Sequence, residues 1–90
     1  MKARKKQIVV EVWKLDSEEM RKQKPDVPDW VASRIGVGLY FDFLNQRWYM
    51  DTLDGITTAH DRDYLVQGVT GEVYPVKDDV FKHTYEIIEP

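Results

Sequence analysis

The sequence predicts an α+β domain, mainly antiparallel: a curled sheet or a small, partly open β-barrel of six or seven short strands with one or two short helices. Short apolar runs with alternating faces indicate the strands, and turn signals such as Asp54-Gly55 separate them. Residues 1–90 are expected to form a single domain whose thin core depends on large rings, since 12% of the residues are aromatic. Residues 1–6 form a basic N-terminal arm that can remain flexible.

The first half of the chain predicts two strands separated by short helical segments. Residues 7–14 are dense in β-branched side chains and apolar on both faces, which is typical of a central or covered strand. Asp16, followed by acidic residues, indicates the start of a weak helix. A second short helix is predicted over residues 28–35, with Trp30 packed on the sheet. Clean alternation then predicts a strand over residues 37–44.

The second half predicts a meander, a hairpin and a return strand. Alternate residues of its first strand face the core, either Trp48 and Met50 or Tyr49 and Asp51. Pro75 cannot donate a backbone hydrogen bond, so its strand is expected at an edge or at a bulge. The predicted elements are strands over residues 47–53, 56–59, 64–69, 72–77 and 84–89, and one helical turn over residues 78–83 that Asp78 can cap.

Charge is unevenly distributed along the chain. The net charge is −3, but residues 1–6 carry four basic side chains and no acidic one, so the remainder carries −7. A basic arm can contact phosphate, yet four charges are fewer than dedicated nucleic-acid surfaces carry, and a solvated terminus is the preferred interpretation.

The chain has no cysteine for a disulfide or thiolate metal site. No apolar run approaches the roughly 20 residues that span a bilayer, so a membrane is not an expected partner.

Two segments carry recognisable motifs. The two longer matches are KARKKQIVVE at residues 2–11 and DYLVQGVTGEVYPVK at residues 63–77. Shorter matches lie at 54–55, 79–81 and 84–86, and together the five cover 33 of the 90 residues. They resemble a widespread family of small phage and prophage proteins with the patterns KxRKKPVVVEA, EG, PGDYIIKGVxGEFYPCK, PDIF and TYE. The resemblance implies a phage accessory protein acting in the cytoplasm of the host bacterium. The activity of the family is uncharacterised, and the resemblance supplies no catalytic residue.

The chain departs from the family pattern at three positions. Asp61-Arg62 stands where the family has Pro-Gly, so that turn is expected to be built differently. Val76 replaces a frequent cysteine, which argues against a cysteine-based role, and Gln7 replaces a proline. By analogy with other small phage accessory proteins, interference with a host process such as defence is the favoured function.

Catalytic chemistry is sparse in the sequence. His60, Asp61 and Asp63 could contribute to a divalent-cation site, but Asp side chains bonding their own backbone in a turn is the preferred interpretation. Ser17 and Ser33 both fall on predicted helices, so no nucleophile elbow can be drawn. We therefore expect no enzyme, no metal site and no cofactor.

Two binding hypotheses remain. In the first, Arg4, Lys6, Tyr74 and Lys77 share a face because the first strand pairs with the strand over residues 72–77, and they bind a nucleotide-like small molecule through its phosphate and base. The competing interpretation is that Tyr74 is a core residue and the cations are edge-strand charges. In the second hypothesis, the acidic surface binds a basic host protein that acts on nucleic acid. A structural or assembly role in the phage, which would produce a homo-oligomer, is a further alternative.

Overall fold

The structure is a computed structural model that describes residues 1–4 and 7–89. Within them the chain forms short helices and strands in the order β1 (Glu11–Lys14), α1 (Ser17–Met20), α2 (Asp29–Ala32), β2 (Leu39–Asp42), β3 (Arg47–Thr52), β4 (Gly55–Ala59), β5 (Tyr64–Gln67), β6 (Val73–Val76) and α3 (Asp78–Thr84). No helix in this described part is long and apolar enough to cross a membrane.

The strands form two antiparallel three-stranded sheets. One has the order β1-β5-β6 and the other is the meander β2-β3-β4, and β3 lies against β6 where the two sheets meet. The predicted α+β class with short antiparallel strands is confirmed, and the sheets do not close into a barrel. Pro75 lies on β6, an outer strand of its sheet, as its missing donor requires.

The predicted pairing of the first strand with the strand containing Tyr74 is wrong. β5 lies between them: Val12 is opposite Val66, and Val66 is opposite Tyr74. Because neighbouring strands are separated by about 4.8 Å, β1 and β6 lie roughly 10 Å apart. β5, not β1, is therefore the central strand of this sheet.

The predicted strand near the start of the chain is shorter than expected, and the one near its end is absent. Residues 7–10 lie outside β1, because β5 ends at Gln67, which is opposite Glu11. The predicted strand over residues 84–89 is wrong. Instead, Thr84 completes α3, where its hydroxyl donates to the Val80 carbonyl oxygen over 2.6 Å.

The main core joins the two sheets. Trp48 and Met50 face it, not Tyr49 and Asp51, and Trp30 packs against it as predicted. The buried members of this cluster are Leu15, Val31, Leu39, Trp48, Met50, Ala59, Leu65 and Val73.

A second, smaller cluster lies on the other face of the β1-β5-β6 sheet. Neighbouring residues of β5 point to opposite faces, so Leu65 faces the main core and Val66 faces the other side, where it is fully buried. α3 covers this second face with Phe81. The Phe81 ring stacks on Tyr64 with 3.7 Å between ring centroids, and Tyr85 stacks on Phe81 at 4.9 Å. The β1-β5-β6 sheet is thus covered on both faces, which is why its central strand is apolar on both sides.

A buried hydrogen-bond chain connects three parts of the fold. The Trp48 indole N–H donates to the Ser17 hydroxyl oxygen over 2.9 Å, and the Ser17 hydroxyl donates to Asp61 Oδ1 over 2.7 Å. The backbone N–H of Ser17 donates to the same carboxylate oxygen over 2.9 Å. β3, the start of α1 and the β4–β5 connection are therefore held together by one carboxylate and one hydroxyl.

The β4–β5 connection contains a residue in a conformation that favours glycine. Arg62 has a φ of +79°, in the left-handed region. Its backbone N–H donates to the Leu15 carbonyl oxygen over 3.1 Å, so the position is tied to the end of β1. The turn therefore keeps a glycine-like geometry even though an arginine occupies it.

We expect Ser17→Ala to lower the free energy of unfolding by about 1–3 kcal/mol, because it leaves the buried Trp48 N–H without an acceptor. Urea unfolding followed by tryptophan fluorescence measures the effect. The matched control is Ser33→Ala, at the exposed C-terminal cap of α2, where a change within about 0.5 kcal/mol is expected. Equal effects of the two substitutions would show that the buried chain is not stabilising.

We expect Arg62→Gly to raise the free energy of unfolding by about 0.5–1 kcal/mol, because relief of the left-handed strain exceeds the extra entropy of glycine in the unfolded chain. Urea unfolding of the purified variant provides the measurement. Arg62→Ala removes the same side chain but keeps the strain. A similar gain in Arg62→Ala would assign the effect to the side chain instead of the backbone.

Candidate functional site

The structure separates the two strands that the predicted pocket requires as neighbours, because β5 lies between β1 and β6. Arg4 and Lys77 are exposed, Tyr74 is half-buried, and Lys6 lies outside the described residues. β1 and β6 run in the same direction, since each is antiparallel to β5. Arg4 precedes β1 whereas Lys77 follows β6, so the strands lead to these two cations from opposite ends of the sheet.

Tyr74 has a structural partner within the α3 cluster. Its hydroxyl lies 3.3 Å from the Tyr85 hydroxyl, and this hydrogen bond, together with burial, raises the pKa of Tyr74 to about 12. The Tyr74 hydroxyl is thus engaged by a residue whose own ring stacks on Phe81. The structure therefore favours the packing interpretation of Tyr74.

The polar connection between β4 and β5 is built by turn chemistry. Asp63 is buried, and its Oδ2 accepts the His60 backbone N–H over 3.0 Å, while Asp61 accepts from Ser17. His60 Nδ1 lies 3.9 Å from the same Asp63 oxygen. Among residues 1–4 and 7–89, no group of three or more His, Cys, Asp or Glu side chains has a geometry suited to a metal ion.

An open depression of about 430 Å³ lies beside this connection, at the end of β1. Three carboxylates and two cations share its wall, so no single charge dominates it. Asp61 is already bonded to Ser17, and Asp16 accepts the Glu19 backbone N–H at the N-terminus of α1. The lining residues are Lys14, Leu15, Asp16, Glu18, Asp61 and Arg62. An open depression of mixed charge is better suited to a charged chain segment than to an enclosed small molecule.

The outer face of the β2-β3-β4 sheet is a different kind of surface. Strand register places Asp51 opposite Ile56, and Tyr49 opposite both Tyr40 and Thr58. These residues alternate with the core residues of the same strands and therefore point away from the core. We call the surface formed by Tyr40, Arg47, Tyr49, Asp51, Ile56 and Thr58 the meander face.

Aromatic and apolar side chains are exposed on the meander face. Ile56 is 74% exposed and Tyr40 is 44% exposed. The Arg47 guanidinium packs over the Tyr49 ring, with Cζ 5.3 Å from the ring centroid, and donates to the Tyr49 hydroxyl over 2.9 Å. Tyrosine, arginine and an isoleucine presented on a sheet are residues that make large contributions at protein interfaces.

Two further apolar side chains are exposed near one end of this sheet. Leu53, in the β3–β4 turn, is 86% exposed, and Val37 is 73% exposed. The Asp51 backbone N–H donates to the Gly38 carbonyl oxygen over 2.9 Å, which places Val37 beside this end of β3. Asp51 and Asp54 are also exposed here, so the apolar side chains have an acidic border.

Sequence reasoning missed this face. The alternation along residues 37–44 and 47–53 indicated that one set of side chains points outward, but it could not show which set faces the core or which outward side chains lie opposite each other. Ile56 was the available signal. It is apolar, yet it points to the face of β4 away from buried Ala59 and pairs with Asp51, which points outward.

Comparison with protein-family models, with curated proteins and with solved structures finds no match to this chain.

The raised pKa of Tyr74 gives a prediction for alkaline stability. A tyrosine whose pKa is 10 in the unfolded chain and about 12 when folded stabilises the fold fully below pH 10, and that contribution is lost as the pH rises toward 12. We expect Tyr74→Phe to lose less unfolding free energy than the wild type over this interval. Thermal melting at pH 9 to 11, followed by circular dichroism, tests this; identical pH dependence in both proteins would contradict the assigned cause.

Proposed function

We propose that this chain is a non-enzymatic binding module of the phage accessory type, and that it interferes with a host process by binding a host protein through its meander face. The single observation that supports a protein partner is the exposure of Ile56 and Tyr40 on one sheet face. Exposed apolar area with a polar border is a feature of protein-interaction sites.

The charge of the chain supports a basic partner. Outside residues 1–6 the sequence carries a net charge of −7, and Asp51 and Asp54 border the apolar side chains. A host enzyme that acts on nucleic acid presents the complementary charge, because it must bind phosphate. Electrostatic attraction accelerates association, while Ile56 and its neighbours supply the desolvated contact.

The small-molecule version of the function has less support. It requires Arg4, Lys6, Tyr74 and Lys77 at one site. β5 separates the two strands concerned, and Tyr74 is hydrogen-bonded to Tyr85. Sequestration of a phosphate-bearing molecule by these residues stays a prediction, and native mass spectrometry of protein purified from a host lysate tests it through the mass of any retained ligand.

The protein-partner proposal is tested by affinity capture from host lysate over a series of salt concentrations. We expect capture of a basic host protein to fall with rising salt, and to be reduced roughly tenfold or more by Ile56→Lys, since a central interface side chain contributes about 1–3 kcal/mol. Asp51→Lys should weaken capture and flatten its salt dependence.

Leu44→Lys is the matched control. Leu44 is 95% exposed in the β2–β3 turn, at the opposite end of the meander from Leu53, and the substitution adds the same charge. Retained capture by Leu44→Lys together with loss by Ile56→Lys supports the meander face. If Ile56→Lys captures the same proteins as the wild type, the meander face is not the binding surface.

A further inference from the structure

The outer edge of β1 continues into a chain segment that has no partner within the described part of the protein. β1 pairs with β5 on one side only. Residues 7–10 extend beyond the end of the sheet, with Ile8 58% exposed and Val9 74% exposed. Within the described residues, no hydrogen bond reaches the backbone of residues 7–10.

The neighbouring hairpin cannot pair with this segment. Extension of the β1–β5 register would place Val10 opposite Gly68. The Gly68 N–H already donates to the Glu72 carbonyl oxygen over 2.8 Å, and the Gly68 carbonyl oxygen accepts the Gly71 N–H over 3.0 Å. Both backbone groups of Gly68 are directed to the hairpin side, and residues 69–71 form the turn that follows β5, so no strand continues beside residues 7–10.

We infer that residues 8–12 pair, antiparallel and about a two-fold axis, with the same residues of a second copy of this chain. In an antiparallel pair related by a two-fold axis one residue faces its own counterpart, and directly opposite side chains share a face. With Val10 on the axis, Ile8 lies opposite Val12 of the second copy. The three apolar side chains of each copy then form one continuous row.

The charge pattern along the chain favours a second copy over another partner. Four basic residues precede the strand, and three acidic residues, Asp16, Glu18 and Glu19, follow it. An antiparallel pair places the start of one strand beside the end of the other. The basic arm of each copy is therefore directed toward the acidic start of α1 in its neighbour.

The open depression at the end of β1 provides the matching surface. Asp16 and Glu18 lie on its wall, and its volume of about 430 Å³ can accept a lysine or arginine side chain. Lys2 and Arg4 are both exposed and precede the pairing segment. This pairing uses a different part of the molecule from the meander face, so it is independent of the proposed protein partner.

Cysteine crosslinking tests the register, because the chain has no cysteine of its own. We expect Val10→Cys to form a disulfide-linked dimer under mild oxidation, since facing Cα atoms in an antiparallel pair are within disulfide range. Val9→Cys and Glu11→Cys should each crosslink poorly alone but efficiently when mixed, because Val9 faces Glu11. Efficient crosslinking of Val9→Cys alone, or none of Val10→Cys, would overturn the inference.

Sedimentation velocity of the cysteine-free protein tests the dimer itself. We expect a concentration-dependent dimer whose dissociation constant rises with salt and rises roughly twofold to fivefold in Glu18→Lys. Val10→Lys, which opposes two like charges on the axis, should be monomeric, whereas Leu44→Lys should dimerise like the wild type. Far-UV circular dichroism checks that Val10→Lys is folded. The proposal is contradicted if the wild type is monomeric at all concentrations, or if folded Val10→Lys still dimerises.

Discussion

The bonds from Trp48 to Ser17 and from Ser17 to Asp61 are the interaction on which the arrangement of the two sheets depends. The indole belongs to β3, the hydroxyl to the first residue of α1, and the carboxylate to the connection that leaves β4 for β5. The buried indole N–H needs an acceptor, which the Ser17 hydroxyl oxygen supplies. The Asp61 carboxylate holds Ser17 in place by accepting hydrogen bonds from its hydroxyl and its backbone N–H. The β4–β5 connection, which takes the chain from the meander to the β1-β5-β6 sheet, is thereby fixed against Trp48, a core residue of the meander.

That crossing determines which surfaces of the molecule are covered. The Asp63 carbonyl oxygen accepts the Leu15 N–H over 2.8 Å, so β5 begins beside the end of β1. β5 then lies between β1 and β6, with Leu65 facing the main core and Val66 facing α3. The meander has its core on one face only. Its other face is left to present Tyr40, Tyr49 and Ile56.

The covering of the β1-β5-β6 sheet on both faces also explains why the last residues of the chain do not form a strand. Phe81 stacks between Tyr64 and Tyr85, and this places α3 where a final strand had been expected. Residues 85–89 therefore form no strand, and Ile87 and Ile88 within them are 53% and 68% exposed. At the other end, β5 ends at Gln67 and the chain turns over residues 69–71, so β5 does not continue beside residues 7–10. A turn and an aromatic stack, both local features, thus decide where each sheet ends.

The sequence by itself determined the elements whose cause is local. Alternation placed β2 and β3, Asp54-Gly55 placed the turn between β3 and β4, and the missing donor of Pro75 placed β6 at an edge. Only the tertiary structure decided that β1 pairs with β5, because this pairing joins residues about fifty positions apart. For the same reason, the sequence could not show that β5 separates the first strand from the strand of Tyr74, or which side chains share the meander face.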